Sequence, residues 1–307
     1  MDPTAVLDLF AATIRIATPL LLAALGGLLS ERSGTFAVGV EGMMLAGAFG
    51  GALAMLGGAG VLLGFVAAGC AGALVGVVVA VATARFRADQ MVTGLAANVL
   101  VLGLTSFLLR GLFGGRAPVI RFSPPAAWPV PLLSDLPFLG PVLFRQAPVV
   151  YLAFLAVLPL GWFLARTRAG LVLRAVGENP EAAFAAGSDP IRLRMIAVIA
   201  GAALAGTGGA VVALQEVGTF TDGMTNGRGF IALAAILVGR WTPIGAMGGC
   251  LLFGFVSALE LRAQGWGLPV SSYVLQMAPY LIALALLAGV GRAARLPAAI
   301  GVPFTRH

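Results

Sequence analysis

The sequence predicts an all-α integral membrane protein, a polytopic helical bundle of about nine transmembrane helices (eight to ten), some of them broken. Of its 307 residues, 60% are hydrophobic, only 10% are charged and 43 are glycine. A water-soluble fold needs a charged outer shell that this composition does not provide. Several apolar runs also reach the ~20 residues with which a helix crosses about 30 Å of hydrocarbon. We therefore treat residues 1–307 as a single transmembrane domain.

Apolar runs of sufficient length place eight spans along the chain. In order, they cover residues 5–29, 34–56, 60–83, 91–110, 149–165, 195–215, 243–260 and 271–290. The run at 229–239 is too short for an ordinary span, and we interpret it as a broken helix that protein surrounds or that lines a cavity. This short crossing makes nine. We expect the first run to remain as a span, because no basic region precedes it and no A-x-A cleavage site follows.

The arginines predict the orientation of the spans. All 19 basic residues are arginine, and placing residues 166–194 inside puts twelve of them in inner segments, six in outer segments and Arg15 within the membrane. Inner loops of membrane proteins carry such an excess of basic residues. The N-terminus then lies outside and the C-terminus inside. The segment 111–148 becomes an external loop, too rich in proline to span as a helix.

The residue inventory excludes several functions. No lysine is present and the single histidine is His307, so a Walker A loop, Schiff-base chemistry and imidazole catalysis have no residues to carry them. Cys70 and Cys250 lie in apolar runs and are predicted to be small buried side chains. The arginines are scattered rather than clustered, which argues against a nucleic-acid partner. We expect no enzyme activity, metal or cofactor in this chain.

Glycine spacing predicts close helix packing. Three small-x-x-x-small pairs would let helix backbones approach one another. The pairs are Gly47 with Gly51, Gly72 with Gly76, and Gly245 with Gly249. The first three and last three spans also share an outline in which "SERSGT" and "GRWTP" form corresponding inner turns, a weak signal of an internal repeat.

Charge is concentrated in the loop 166–194, which holds eight charged side chains. Within it, "ENPEAAFAAG" predicts one short helix, with Asn179 as the N-cap, Pro180 at the first position and Gly187 as the stop. Glu178 and Glu181 would lie at the positive end of its dipole. A helix of ~10 Å is unstable alone, so something must hold it.

Two interpretations of this short helix remain open. Ala182, Ala183, Phe184 and Ala186 could be exposed and fit a groove on another protein. Alternatively, the helix lies at the membrane interface and only braces two spans.

The segment "RAVGENPEAAFAAGSDPIRLR" resembles the cytoplasmic coupling helix of permease subunits of ATP-binding-cassette (ABC) importers, in the branch for simple sugars, branched-chain amino acids and nucleosides. Residues 17–49, 94–110 and 227–255 are also similar to that branch. The motifs "SERSG", "VEGMM" and "GRGFIALA" look most like nucleoside-uptake permeases. The chain differs from longer members in starting at its first matching span.

The resemblance implies partners and a role for the short helix. In that family the helix docks into a cleft of a separate ATPase, which binds ATP and Mg²⁺. The implied partners are a second, different and longer permease, a cytoplasmic ABC ATPase, an extracytoplasmic solute-binding protein or lipoprotein, and a small-molecule substrate, at the bacterial plasma (inner) membrane. The coupling residues would be Glu178, Asn179, Pro180, Glu181, Ala183 and Gly187.

Four polar or aromatic residues at membrane depth are candidates for the substrate path. Glu41 is costly there by ~3 kcal/mol, so it either faces the path or forms a buried bond, such as one with Arg15 or Arg32. Asn98 suits a base or ribose hydroxyl, or serves as an interhelical clamp. Phe230 could stack on a nucleobase. Arg228 opens the same short crossing, as a substrate contact or an interfacial anchor.

Three function classes compete. An ATP-driven permease is favoured by the short charged helix. An ion-coupled secondary transporter would concentrate ionisable residues in the membrane, and a membrane enzyme would need a catalytic constellation that the chain lacks. For the substrate we rank a nucleoside first, a simple sugar second and a flavin-like heterocycle third.

Overall fold

The computed structural model describes residues 3–114, 127–131, 134, 139–265, 277–290 and 296–305. The described chain is almost entirely helical, and its strands are two residues long. In order, its helices and strands are α1 (Pro3–Arg32), α2 (Val40–Leu56), α3 (Val61–Ala80), α4 (Gln90–Phe113), β1 (Trp128–Pro129), α5 (Leu139–Leu143), β2 (Arg145–Gln146), α6 (Pro148–Arg166), α7 (Arg168–Glu178), α8 (Pro180–Ala185), α9 (Pro190–Ala210), α10 (Arg228–Val238), α11 (Pro243–Gly265) and α12 (Ala278–Val290).

Local sequence signals explain where many of these helices begin. The helices α6, α8, α9 and α11 each start at a proline. Proline is favoured there because the first helical N–H has no partner within the helix and the ring already has a helical φ. Two helices continue into wider π-helical turns, α3 through Val81–Arg85 and α9 through Val211–Val217. Such turns are rare and frequently lie at functional sites.

Six helices of the described chain are long and apolar enough to cross a membrane. They correspond to the predicted spans that start near residues 5, 60, 91, 149, 195 and 243. The predicted span 34–56 becomes a helix only from Val40, and the short crossing at 229–239 is an eleven-residue helix, Arg228–Val238. Of the predicted span 271–290, residues 271–276 lie outside the described residues. The all-α membrane class is therefore supported, and the count of nine crossings stays a prediction.

The predicted external loop 111–148 contains a small β-ladder. β1 and β2 pair antiparallel, with Trp128 opposite Gln146 and Pro129 opposite Arg145. The amide of Gln146 donates to the carbonyl of Val142 in α5. No helix long enough to span forms among the described residues of this loop, as its prolines predict.

The first helix is the centre of the core. On α1, Leu21, Leu25 and Leu28 are fully buried, and the helix packs against α9, α10 and α11. Helices α3, α4 and α6 instead leave large apolar side chains exposed, such as Leu74 and Phe107. An exposed apolar surface of this kind suits contact with lipid or with another membrane subunit.

Glycine lets α9 approach α2 and α3 closely. A Cβ on Gly206 would meet the carbonyl of Ala68 and lie 3.0 Å from the Cα of Gly72, and a Cβ on Gly47 would meet the backbone of Gly206. The predicted packing role is thus confirmed for both Gly47 and Gly72. Gly249 likewise packs on α10, at 3.0 Å from the Cα of Ala235.

One of the two cysteine predictions is wrong. Cys250 is buried, but Cys70 is exposed on α3. Most of the apolar side chains on that helix point away from the bundle, because its glycines form the contact side. An apolar sequence around a cysteine does not distinguish a protein interior from a surface that faces lipid.

We expect Gly206→Ala to destabilise the bundle. Its new methyl group overfills the crossing with α3, which costs about 1–3 kcal/mol. The measurement is the thermal unfolding midpoint of the purified protein in detergent. Gly103→Ala is the matched control, because a Cβ at this position in α4 has nothing within 4 Å. Equal midpoints for both variants would contradict the close crossing.

Candidate functional site

The interior of the bundle contains a junction where two helices begin side by side. We define the helix junction as residues 38–42, at the start of α2, together with residues 225–230, at the start of α10. At eleven residues, α10 is about 16 Å long, which is half of the hydrocarbon thickness. The short helix expected from the sequence is therefore present, and its first turn packs against Glu41 of α2.

Glu41 caps the N-terminus of α10 from another helix. Its Oε1 accepts hydrogen bonds from the Thr225 hydroxyl at 2.7 Å and the Gly227 N–H at 2.9 Å, and its Oε2 accepts from the Gly229 N–H at 2.6 Å. Free N–H groups and the helix dipole make this end favourable for a carboxylate. The expected partners Arg15 and Arg32 are not the ones found. Glu41 forms the buried bond that was one of its two interpretations.

Asn98 is a clamp, as one of its interpretations predicted. Its Oδ1 accepts from the Gly42 N–H at 2.8 Å, and its Nδ2 donates to the Val38 carbonyl at 2.9 Å. Eight residues earlier on the same face of α4, Gln90 accepts from the Phe36 N–H at 2.7 Å. Together these amides satisfy the non-helical backbone between α1 and α2. Sequence reasoning missed Gln90, although its two-turn spacing from Asn98 was visible.

Arg228 binds a carboxylate within the chain. Its Nη1 lies 2.5 Å from Oε2 of Glu216, which belongs to the π-helical turn after α9. Glu216 was not among the predicted residues. Its Oε1 and that of Gln215 are buried and have no hydrogen-bond partner among the described residues. Arg228 thus joins α9 to α10, whereas the sequence offered a substrate contact or an interfacial anchor.

Phe230 is the exposed aromatic residue of the helix junction. It is 41% exposed, and Tyr280 from α12 is similarly exposed at 42%. The Tyr280 hydroxyl donates to the carbonyl of Asn226, which places it beside the same loop. The junction therefore presents two aromatic side chains next to polar backbone. Such a surface can stack on a planar solute and hydrogen-bond with it.

The predicted inner turns bind each other. The indole N–H of Trp241 donates to Oε2 of Glu31 at 2.6 Å, and the Arg32 Nε donates to the Trp241 carbonyl at 2.8 Å. Trp241 and Arg240 both have a φ of 54°, in the left-handed region. The polar residues of "SERSGT" thus hold the strained "GRWTP" turn in place.

Within the charged loop, α7, α8 and the first turn of α9 each begin directly after a residue whose side chain caps the helix. Oδ1 of Asn179 accepts from the Ala182 N–H at 2.9 Å, Pro180 is the first residue of α8, and Gly187 has a φ of 87°. Asp189 caps α9 by accepting from the N–H groups of Ile191 and Arg192. The predicted capping residues are confirmed, and the helix spans six residues.

Two details of the short helix differ from the expectation. Ala183 is only 6% exposed, whereas Phe184 is 41% exposed. The short helix turns the Ala183 side towards the bundle, so its sequence alone did not show which side faces out. Oε2 of Glu178 accepts from the Ala298 N–H at 3.3 Å, so this carboxylate already has a partner. Glu181 and Ala182 remain on the exposed side.

We expect Glu41→Gln to lower the thermal unfolding midpoint. The amide cannot accept at both of its side-chain atoms, and an N–H group left without a partner costs about 1–3 kcal/mol. Unfolding of the purified protein in detergent measures the change. Asp222→Asn is the control, because this exposed carboxylate accepts from the Ser106 hydroxyl and from no other group among the described residues. Indistinguishable midpoints for the two variants would show that the Glu41 contacts contribute little.

Comparison with known proteins identifies relatives along the whole chain. It is 38% identical to the guanosine ABC transporter permease protein NupQ of Bacillus subtilis, over 100% of this chain and 99% of that protein. It is also 38% identical to the nucleoside ABC transporter permease protein NupC of Lactococcus lactis, over 94% of each. The glucose ABC transporter permease protein TsgB13 of Haloferax volcanii is 32% identical, over 73% of this chain and 62% of its own length.

Each of these organisms also has a second matching permease. Those of Bacillus subtilis and Lactococcus lactis are 28% and 24% identical to this chain, and the matches cover 75% and 71% of their lengths. A further Haloferax volcanii permease is 38% identical over 84% of this chain. No solved structure matches the chain.

The family described as "branched-chain amino acid transport system / permease component" matches residues 9–290. Apart from the first residues of α1, this match covers the six helices of the described chain that are long and apolar enough to cross a membrane, and the charged loop between α6 and α9. The full-length relatives are permease subunits rather than enzymes. The chain therefore belongs to the branched-chain amino acid transport system permease family of ABC transporters, as a multi-pass protein of the bacterial plasma membrane.

Proposed function

We propose that this chain is one of two different permease subunits of an ATP-driven importer and that it carries a nucleoside across the membrane. Residues 1–307 act as one transmembrane domain. A separate cytoplasmic ATPase binds ATP and Mg²⁺, and an extracytoplasmic solute-binding protein or lipoprotein delivers the solute. The chain itself performs no hydrolysis and holds no cofactor.

The observation that carries the coupling role is the capped helix α8. It is six residues long, with Asn179 and Gly187 fixing its two ends and Ala182 exposed between them. A helix so short has no independent stability. The capping of both its ends therefore supports the proposal that it forms a binding surface for a partner. We assign Glu181, Ala182 and Phe184 to the contact with the ATPase. Glu178, Asn179, Pro180, Ala183 and Gly187 shape and hold the helix.

The second permease is proposed from the pairing of the relatives. In both Bacillus subtilis and Lactococcus lactis, one match spans nearly the whole relative and the other leaves about a quarter of a longer relative uncovered. This chain corresponds in length to the shorter member. We therefore expect it to assemble with a longer and different permease.

The nucleoside is proposed from two independent lines of support. The two relatives that match over nearly their full lengths are described as guanosine and nucleoside permeases. In this chain Phe230 and Tyr280 are exposed at the helix junction, where a planar base could stack. Glu41, Asn98 and Arg228 then act on the path indirectly, because they fix the two helix ends that form it.

A simple sugar is the second candidate. It is supported by the glucose permease relative from Haloferax volcanii, which is 32% identical over 73% of this chain. Aromatic side chains also pack against the apolar faces of sugars, so the helix junction does not by itself separate the two substrates.

We expect Ala182→Trp to weaken association with the ATPase subunit of the same transporter about tenfold or more. A steric clash of only 1.4 kcal/mol changes an association constant by this factor. Substrate-stimulated ATP hydrolysis should fall in parallel, while the amount of permease in the membrane stays unchanged. Copurification and hydrolysis assays on the co-expressed complex measure both effects.

Ala169→Trp is the matched control for this variant. Ala169 is an exposed alanine on the neighbouring helix α7, outside the coupling helix. It should leave both association and hydrolysis at the parent level. If Ala182→Trp copurifies with the ATPase and transports normally, α8 only braces the spans and the coupling assignment fails.

We expect Phe230→Ala to weaken guanosine uptake, with an apparent affinity lower by about 5- to 100-fold, because a lost base stack costs about 1–3 kcal/mol. Phe230→Tyr keeps the aromatic face and should retain most of the uptake. Radiolabelled guanosine uptake into cells that express the complete transporter measures the change. Uptake of radiolabelled glucose is measured in parallel. Uptake of glucose together with no uptake of guanosine would replace the nucleoside with the sugar.

A further inference from the structure

Residues 296–305, which we define as the C-terminal strap, lie against the coupling helix. The first contacts of the strap are two hydrogen bonds that its backbone N–H groups donate. The Ala299 N–H donates to the carbonyl of Gly177 at 2.9 Å, and the Ala298 N–H donates to Oε2 of Glu178 at 3.3 Å. Both acceptors lie at the end of α7, immediately before the coupling helix. The strap therefore fixes the point where the chain enters that helix.

Arg194 ties the middle of the strap to two long helices. This residue of α9 is only 2% exposed, and its guanidinium donates to three carbonyls, two in the strap and one just after α1. Nη1 reaches Val302 at 2.8 Å, Nη2 reaches Ala299 at 3.2 Å, and Nε reaches Ser33, just after α1, at 3.2 Å. A planar guanidinium with fixed donors can join three segments in this way, whereas a lysine cannot.

The end of the strap contacts the coupling helix itself. Phe304 is 6% exposed, and its ring centroid lies 5.6 Å from that of Phe184 in α8. Phe184 belongs to the coupling helix and is 41% exposed, so the strap covers only one side of it. The remaining surface stays open to a partner.

The coupling helix needs such a support to transmit movement. It has only six residues, it follows an extended residue, Asn179, and it is followed by Gly187 in the left-handed region. The helix is therefore joined to its neighbours through two non-helical residues, and a helix this short has little stability from its own hydrogen bonds. A push on an unsupported coupling helix would be absorbed at these two residues.

We propose that the C-terminal strap makes the coupling helix one body with the inner ends of α1 and α9, so that closure of the ATPase moves these helices instead of bending the loop. Arg194 and Phe304 are the positioning residues of this body. The inference rests on the proposed function, since it assumes that an ATPase engages α8. It adds that transmission depends on the C-terminal strap, which lies more than a hundred residues after Arg194 in the sequence.

The test measures the number of solute molecules taken up per ATP hydrolysed in proteoliposomes that contain the complete transporter. Phe304→Ala removes the ring contact, and Ala298→Pro removes the N–H donated to Glu178. An aromatic pair of this kind biases the strap towards its attached position by about two- to tenfold. We expect both variants to copurify with the ATPase and to hydrolyse ATP at the parent rate. Uptake per ATP should fall about two- to tenfold.

Two further variants separate coupling from general damage. Val302→Ala is the matched control, because its side chain is 54% exposed and only its backbone carbonyl contacts Arg194. Phe304→Tyr retains the ring and should restore the parent ratio. A merely structural role would lower the amount of transporter, and hydrolysis and uptake would then fall in equal proportion.

The outcomes distinguish the two proposals. A parent ratio in both Phe304→Ala and Ala298→Pro overturns the strap while leaving the proposed function intact. An equal fall with Val302→Ala, or a proportional fall of hydrolysis and uptake, also overturns it. If no ATPase copurifies with the parent chain, both proposals fail together.

Discussion

The structure depends on one requirement, which is that backbone leaving a helix inside an apolar bundle must find hydrogen-bond partners within the protein. Two of the places where the described chain leaves helical geometry are between α1 and α2 and before α10. Glu41 satisfies the second break by accepting from the N–H groups of Gly227 and Gly229. Asn98 and Gln90 satisfy the first. Glu41 lies on α2, whereas Asn98 and Gln90 both lie on α4. Their hydrogen bonds to the non-helical segments therefore also fix how α2, α4 and α10 pack together.

Several of the charged side chains connect distant parts of the chain. Glu31 and Arg32 bind the turn at Trp241, and Arg194 binds three carbonyls at the inner ends of α1 and α9. Burying a charged or polar group is less costly when it is hydrogen-bonded, and these contacts supply such hydrogen bonds. The composition predicted that ionisable groups would be rare. It did not predict that Glu31, Arg32 and Arg194 would bind groups of the chain itself.

Helix α9 connects α8 to the helix junction. It begins at Pro190, shortly after the end of α8, and with its π-helical turn it reaches Val217. Near that end Glu216 pairs with Arg228, the first residue of α10. A continuous helix of 28 residues therefore joins the two places, and its 21 α-helical residues alone are about 31 Å long. In the proposed transporter, a displacement of the α8 end of this helix would act on the surface that presents Phe230.

The sequence by itself determined the features that local chemistry controls. Hydrophobic run length identified the six helices that are long and apolar enough to span, and Asn179, Pro180 and Gly187 located the short helix α8, because capping depends on residues only a few positions apart. Glycine spacing identified the crossing at Gly47 and Gly72. The tertiary structure alone decided which distant groups meet. It paired Glu41 with the N-terminus of α10 rather than with Arg32, turned Ala183 inward and Cys70 outward, and brought Phe304 onto Phe184. Contacts between residues a hundred or more positions apart depend on the packing of whole helices, and no short stretch of sequence encodes them.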